Sequence, residues 1–230
     1  MNAHPLAQYP LTNSLPAHCC VAPSDPTYLT FIMLESSLDR CSSHVKGQVL
    51  DVGCGFRPYE FTYYRNAAKY IGLDYLSDRS KPDVVGSALD LPFEACSMET
   101  VVSNETLEHV PNPARAVEEM YRVLKPGGGL ILSCPAYWPR HEQPHDYFRY
   151  PYDGIISLVE GAGFRIETIF CRGRTYAFLG QVLQHTGISL LKSTLARRIL
   201  NSFFLRLDRR KTNDTLTLGW TVLARRGDGR

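Results

Sequence analysis

The sequence predicts a doubly wound α/β fold: a seven-stranded, mostly parallel sheet with a helical insertion before its last strand. Two observations carry that prediction. From Gln48 to Phe170, apolar runs of strand length alternate with segments of helical periodicity, the pattern of parallel strands joined by crossover helices. The first of those runs, Gln48-Val49-Leu50-Asp51-Val52, ends in Gly53-Cys54-Gly55, the place where an open α/β sheet meets its ligand.

Residues 1–27 hold five prolines among short polar stretches and read as a flexible N-terminal arm or lid. Leu29, Phe31, Ile32, Leu34 and Leu38 then fall at helical spacing from Tyr28 onward. After the Gln48 strand come Tyr70-Ile71-Gly72-Leu73, closing on Asp74, then Asp83-Val84-Val85 and Thr100-Val101-Val102-Ser103. Asn112-Pro113 marks a helix start, with Asn as cap and Pro at the first helical position. Val117, Met120, Tyr121 and Leu124 line one face of that helix, and Glu118 and Arg122 form an i,i+4 pair on another. Pro126-Gly127-Gly128 stops it before the strand Leu130-Ile131-Leu132-Ser133. Pro151 opens a further helix that ends at Ala162-Gly163, the strand Phe164 to Phe170 follows, and Thr217 to Leu223 is the last strand. The insertion spans about residues 174–211, within one domain over residues 28–225.

With 230 residues, 44% of them hydrophobic and 21% charged, the chain has the composition of an ordinary globular domain with a large core. A formal net charge of +2 directs it to neither nucleic acid nor membrane. The seven cysteines are scattered apart from Cys19-Cys20 and show no Cys-x-x-Cys spacing, which disfavours a disulfide framework or a structural zinc. The N-terminal residues lack the pattern of a secretory signal, and no uncharged run reaches the length of a membrane span. A reducing, cytoplasmic setting is the default expectation.

In the first loop, Gly53 and Gly55 remove side chains where a backbone must approach a ligand closely. Asp74 follows about 20 residues on, at the end of the second strand, where a carboxylate accepts the hydroxyls of a ribose. The alternative is that the glycines only turn the chain and Asp74 only caps it. The position of a third dinucleotide-type glycine is occupied by Pro58, which disfavours a pyrophosphate ligand such as NAD.

Five segments in register extend this reading. They are Leu50 to Gly55, Gly72-Leu73-Asp74, Gly86 to Phe93, Ser103 to Val110, and Arg122 to Gly128. Over about residues 48–171 they resemble the class I S-adenosylmethionine (SAM)-dependent methyltransferases, which have a Rossmann-like fold. The resemblance implies SAM as cofactor and S-adenosylhomocysteine as product. It places Asp51, Gly53 and Gly55 around the methionine moiety and Asp74 on the ribose. Ser87, Ala88 and Leu89 would flank the adenine, and Asn104 would lie near the reactive end. Ser87 departs from the Asp that many members carry, which weakens an adenine amino contact there. Glu99 also stands where Asp is usual and reads as structural.

The segment His141-Glu142-Gln143-Pro144-His145-Asp146-Tyr147-Phe148-Arg149-Tyr150 follows the fifth strand and should lie over the open end of the sheet. It is similar to a His-x-x-Pro-x-Asp-Tyr-Phe-Arg-Tyr segment of a methyltransferase subgroup. Histidine titrates near neutrality and is a natural base for a hydroxyl acceptor. His141 and His145 are therefore the candidate catalytic residues. His109, Tyr137, Tyr147, Arg149 and Tyr150 are the candidate acceptor contacts, and Arg149 with Asp146 could equally be a structural ion pair. The ligand pattern of His141, Glu142, His145 and Asp146 is too weak to predict a metal.

In the insertion, Ile188, Leu191, Leu195, Ile199, Phe203 and Leu207 recur at helical spacing, and Lys192–Lys211 holds seven basic residues against Asp208. A cap over the substrate pocket, a peripheral membrane contact and a homodimer face are the alternatives for this basic amphipathic segment. The function expected is methyl transfer to a small molecule, most directly O-methylation of a secondary metabolite or of a sugar- or lipid-linked intermediate. RNA methylation through the basic helix and non-catalytic SAM binding are the alternatives. Nucleic acid is disfavoured because no recognition module is present.

Overall fold

The computed structural model describes residues 6–7, 21–76, 82–186, 193–209 and 215–228. Its sheet has eight strands: β1 (Leu6–Ala7), β2 (Gln48–Val52), β3 (Lys69–Asp74), β4 (Val84–Val85), β5 (Met98–Asn104), β6 (Leu124–Pro135), β7 (Phe164–Arg172) and β8 (Gly219–Arg226). Their order is β1-β7-β8-β6-β5-β2-β3-β4. Seven of them are the expected seven. The eighth, β1, pairs in parallel with the edge of β7 at Ile169 and Phe170. Only β8 runs against its neighbours, pairing antiparallel with β6 and β7.

Alternation along the central strands divides their side chains between two faces, both buried. Leu50 and Val52 of β2, Val101 of β5 and Leu130 and Leu132 of β6 enter one core with Val117, Met120, Ile155 and Val159. Val49, Val102 and Ile131 enter the other with Leu34, Leu38 and Tyr64. The helices are α1 (Tyr28–Cys41), α2 (Pro113–Val123), α3 (Tyr152–Gly161), α4 (Thr175–His185) and α5 (Thr194–Asp208).

Helix α2 starts as the sequence predicts: the Asn112 side chain accepts from Arg115 N at 3.2 Å, with Pro113 in the first turn. Its charges pair differently. Arg122 turns to the buried Glu119, which also receives Arg115 and the main-chain N of Leu91, and Glu118 pairs with Arg115. The helix ends at Val123, and Lys125 to Gly129 already belong to β6.

The described residues of the insertion form two helices, and the apolar row of α5 faces outward. Leu195, Ile199 and Phe203 are more than half exposed, whereas Asn201, Leu205 and Asp208 are buried. The reason is polar satisfaction. Asp208 accepts from the main-chain N of Arg174 and Ala177 at the start of α4, and Asn201 donates to Pro23 O and Asp25 O. Gln181 of α4 likewise donates to Pro26 O. Residues 23–27 of the predicted arm are thus tied to α4 and α5. Ile188 and Leu191 lie outside the described residues, as do Cys19, Cys20, Lys192 and Lys211.

Replacing Asn112 with alanine should remove the α2 cap and cost about 1 kcal/mol of stability, read as a lowered chemical-denaturation midpoint with an unchanged slope.

Candidate active site

Strand β2 pairs with β3 on one side and β5 on the other, in parallel. The chain therefore leaves the first strand of the doubly wound unit at the point where strand order reverses, which opens a crevice at the carboxyl ends. A cavity of about 620 Å³ lies there, lined by the exits of β2, β3 and β5, by α1 and by Trp138, His141 and Glu142.

The first loop is built for close approach. Gly53 has φ +77°, and a Cβ there would sit 2.3 Å from Thr106 Oγ1, so that turn requires glycine. Gly55 also has positive φ, and a Cβ would meet nothing within 4 Å because it would project into open space. The segment from Gly53 to Ala68 forms turns and no helix, so no helix N-terminus is offered to a phosphate.

Asp51 is buried in the cavity wall and accepts from the Tyr70 hydroxyl. Burial pushes its carboxyl up to about 7, against the Tyr70 hydrogen bond and the Arg57 charge, which pull it down. Asp74 accepts from Gly55 N at 2.9 Å on one oxygen and from Leu76 N at 3.0 Å on the other. Each oxygen keeps a lone pair for a diol. Asn104 lines the cavity, but its side chain is engaged within the protein, donating to the Tyr64 hydroxyl at 2.6 Å and accepting from Ser133 Oγ.

Among the described residues, five carboxylates line the cavity, from Asp51, Asp74, Glu105, Glu108 and Glu142, and no lysine or arginine does. Such a site favours a cation and opposes a phosphate. SAM carries a sulfonium and an ammonium group and no phosphate, and this donor set fits it. Glu105 departs from β5 with φ +49°, and its carboxylate meets Arg172 Nη1 at 2.9 Å. Glu108 is buried with one oxygen unpartnered, and burial, reinforced by the charge of Glu105, raises its carboxyl well above the usual range.

His109 and His141 also reach the cavity, their rings 4.6 Å apart at 72°. Burial and the neighbouring His109 hold the His141 imidazole below its ordinary value. Glu108, His109 and His141 present one ligand atom each, all within 4.8 Å of one another. This cluster shares only His141 with the weak ligand pattern noted in the sequence.

Other expected site residues lie elsewhere. Ser87, Ala88 and Leu89 form a tight turn outside the lining: Ser87 Oγ accepts from Leu89 N, and Ala88 and Leu89 pack on the core. His145 stands behind Tyr75, ring centroids 6.3 Å apart, and contacts the Tyr147 hydroxyl. Arg149 donates to Asp146, Trp138 O and Pro139 O. It therefore clasps its own loop, and its hydrogen bond to Asp146 depresses that carboxyl. Tyr150 is buried with its hydroxyl on Leu107 O, and Tyr137 packs edge-on against Phe178. Glu105, Glu108 and Trp138 are site residues that the sequence reading missed. Glu105 and Glu108 lie within the matched Ser103–Val110 segment, and their position just past a central strand was the available signal.

Residues 50–132 match a family model described as a methyltransferase domain. A demethylmenaquinone methyltransferase of Oceanobacillus iheyensis is 30% identical over 136 residues, covering 50% of this chain and 57% of that protein. The chain spans about half the length of the curated relatives it matches first. Among solved structures, an S-adenosylmethionine-dependent methyltransferase from Mesorhizobium loti superposes with TM-score 0.54 at 20% identity, over 84% of this chain and 98% of that one. The cyclase SpnF gives TM-score 0.58 at 20% identity, over 89% and 86%. In its matched domain and relatives the chain is similar to the SAM-dependent methyltransferases, and its fold is the one these solved structures share.

Proposed function

We propose that this chain transfers a methyl group from SAM to a hydroxyl of a small, uncharged molecule. The observation that carries the reading is the partition of one cavity into two ends. At one end stand the Gly53–Gly55 loop, Asp51 and Asp74; at the other stand Glu108, His109, His141 and Trp138. When bound, SAM supplies an electrophilic methyl on a cationic sulfur. Asp51 would attract its ammonium group, Asp74 would accept the ribose hydroxyls, and Gly55 leaves the space between them.

The acceptor class follows from charge. Arg149, the one arginine among the candidate acceptor contacts, is spent on Asp146 and main-chain carbonyls. An anionic acceptor would meet the acidic lining of Glu105, Glu108 and Glu142 with no lysine or arginine among the described lining residues to pair with it, which also weighs against nucleic acid. A hydroxyl must lose its proton, and the Glu108–His109–His141 end is where that loss would be promoted. His145 would act through its main-chain carbonyl, which holds the His109 ring. The O. iheyensis relative is named for a quinone acceptor, which supports a lipophilic acceptor here. Helix α5 supports the same class. Its exposed row Leu195, Ile199 and Phe203 runs beside exposed Arg198, Arg206 and Arg209, a surface suited to an anionic bilayer.

Three outcomes test this reading. SAM affinity, measured by calorimetry, should fall as pH drops through about 7, because only the ionised Asp51 attracts the cation. The slope should approach tenfold per pH unit for one linked proton, and Asp51→Asn should flatten the profile while weakening binding by roughly ten- to a hundredfold. An affinity indifferent to pH and to that substitution would remove Asp51 from the cofactor site. With a hydroxylated acceptor identified by labelled-SAM screening, His141→Ala should lower kcat/KM by about 10²–10⁴ with SAM affinity intact, and His145→Ala should change it only severalfold. Equal losses in the two variants would refute the assignment. The parent should sediment with phosphatidylglycerol vesicles and not with phosphatidylcholine, and Ile199→Glu should abolish that. Concentration-dependent dimerisation without vesicle binding would assign the face to a second copy instead.

A further inference from the structure

We propose that Glu108, His109 and His141 bind one divalent transition-metal ion at the histidine-rich end of the cavity. Naming that end the acceptor side rests on the methyltransferase reading above; the binding of the ion does not.

Three observations converge. The first is the proximity of one carboxylate and two imidazoles, with ligand atoms all within 4.8 Å of one another. The second is the state of Glu108. It is only 2% exposed, it lines the cavity, and its Oε2 has no hydrogen-bond partner. A buried carboxylate left that way costs free energy that a cation in the cavity would recover.

The third is the orientation of the rings. His109 Nδ1 lies 2.6 Å from the main-chain oxygen of His145. A carbonyl oxygen only accepts, so Nδ1 carries the proton and Nε2 presents its lone pair. That nitrogen stands 3.8 Å from Glu108 Oε1 and 3.9 Å from Glu142 Oε2. Two carboxyl groups and an imidazole lone pair thus face one another, and a cation at their centre would be shared by all three. Nδ1 of His141 stands between Arg149 Nη2, a donor at 3.4 Å, and Asp146 Oδ2, an acceptor at 3.6 Å; with the proton on Nδ1 facing Asp146, Nε2 is the nitrogen that ligates. Holding the outer nitrogen of an imidazole on a carbonyl or carboxylate is how proteins orient metal-binding histidines.

Two imidazoles and one carboxylate suit Zn²⁺, Fe²⁺, Mn²⁺ or Co²⁺, whereas Mg²⁺ and Ca²⁺ prefer oxygen ligands throughout. Three protein ligands also leave a position open to the cavity. An acceptor hydroxyl meeting the ion there would give up its proton more readily.

The test uses the untagged full chain, stripped with a chelator and titrated with Zn²⁺ by calorimetry and with Co²⁺ by visible absorption. One ion per chain is expected. Glu108→Gln, His109→Ala and His141→Ala should each weaken Zn²⁺ binding by more than the roughly 10–100-fold that loss of an outer-shell partner costs. His145→Ala should leave it unchanged, because only the main-chain oxygen of that residue is used. SAM affinity and melting temperature, measured on every variant, separate a lost ligand from a lost fold. A parent that binds no Zn²⁺ and gives no cobalt ligand-field bands would overturn the proposal, as would folded variants that keep full affinity. Zn²⁺ binding retained without SAM binding would count against the methyltransferase reading alone, and the reverse against the metal site alone.

Discussion

The site depends on one buried charge. Arg172, at the end of β7, is 1% exposed and reaches across the sheet to Glu105 and to Cys134 O. A guanidinium in that position is tolerable only when paired, and removing one partner of such a pair typically costs about 3–5 kcal/mol. The neighbouring strand is shaped around it: a Cβ at Gly219 would lie 1.9 Å from Arg172 Nη2. The pair joins the antiparallel edge of the sheet to the exit of β5, where Glu105 takes an unusual positive φ. Strain of this kind persists only where its surroundings over-determine it, and here the buried cation does so. The turn that follows carries Glu108 and His109 into the cavity.

That arrangement fixes the electrostatics of the whole crevice. Arg172 compensates part of the charge of Glu105 from behind, while the lysine-, arginine-, aspartate- and glutamate-type side chains among the described lining residues are all acidic. A cationic ligand is thereby selected twice, by Asp51 near the glycine loop and by the glutamates at the other end. Fold alone does not choose a reaction, and a cyclase shares this one. What separates ligand classes is the sign of the lining together with the absence of a helix after the first loop. The segment 53–68 buries Tyr59, Tyr63 and Tyr64 against the core instead.

The sheet was legible in the sequence because its central strands are buried on both faces and bounded by glycine, proline or an acid. The cofactor end was legible for a related reason: Gly53 and Asp74 are constrained locally, by a turn and by a strand end. The other end was not. The histidine-rich stretch drew attention to five candidate positions, but of these only His141 reaches the cavity, with Glu142 beside it. Asp146 and Arg149 satisfy one another and the backbone, and the Tyr150 hydroxyl bonds Leu107 O, so their chemistry is consumed in holding the loop. Arg172 gave no signal at all, since a lone arginine at a strand end has no periodicity to betray burial.

Helix α5 shows why a pattern is weaker than it looks. Spacing at i, i+4 and i+8 identifies a face of a helix, not the direction in which it points. The inward face of α5 is chosen by Asp208 and Asn201, which satisfy the main chain of α4 and of residues 23–25. Turning α5 over would take Asp208 from the main-chain N–H groups of Arg174 and Ala177 and Asn201 from the carbonyls of Pro23 and Asp25, and each buried polar group left unpaired costs about 1–3 kcal/mol. The polar requirement therefore decided the orientation, and the apolar row was turned outward as a consequence. That order of causes is why an exposed hydrophobic row on this helix is a surface with a use to be explained and not a defect in packing.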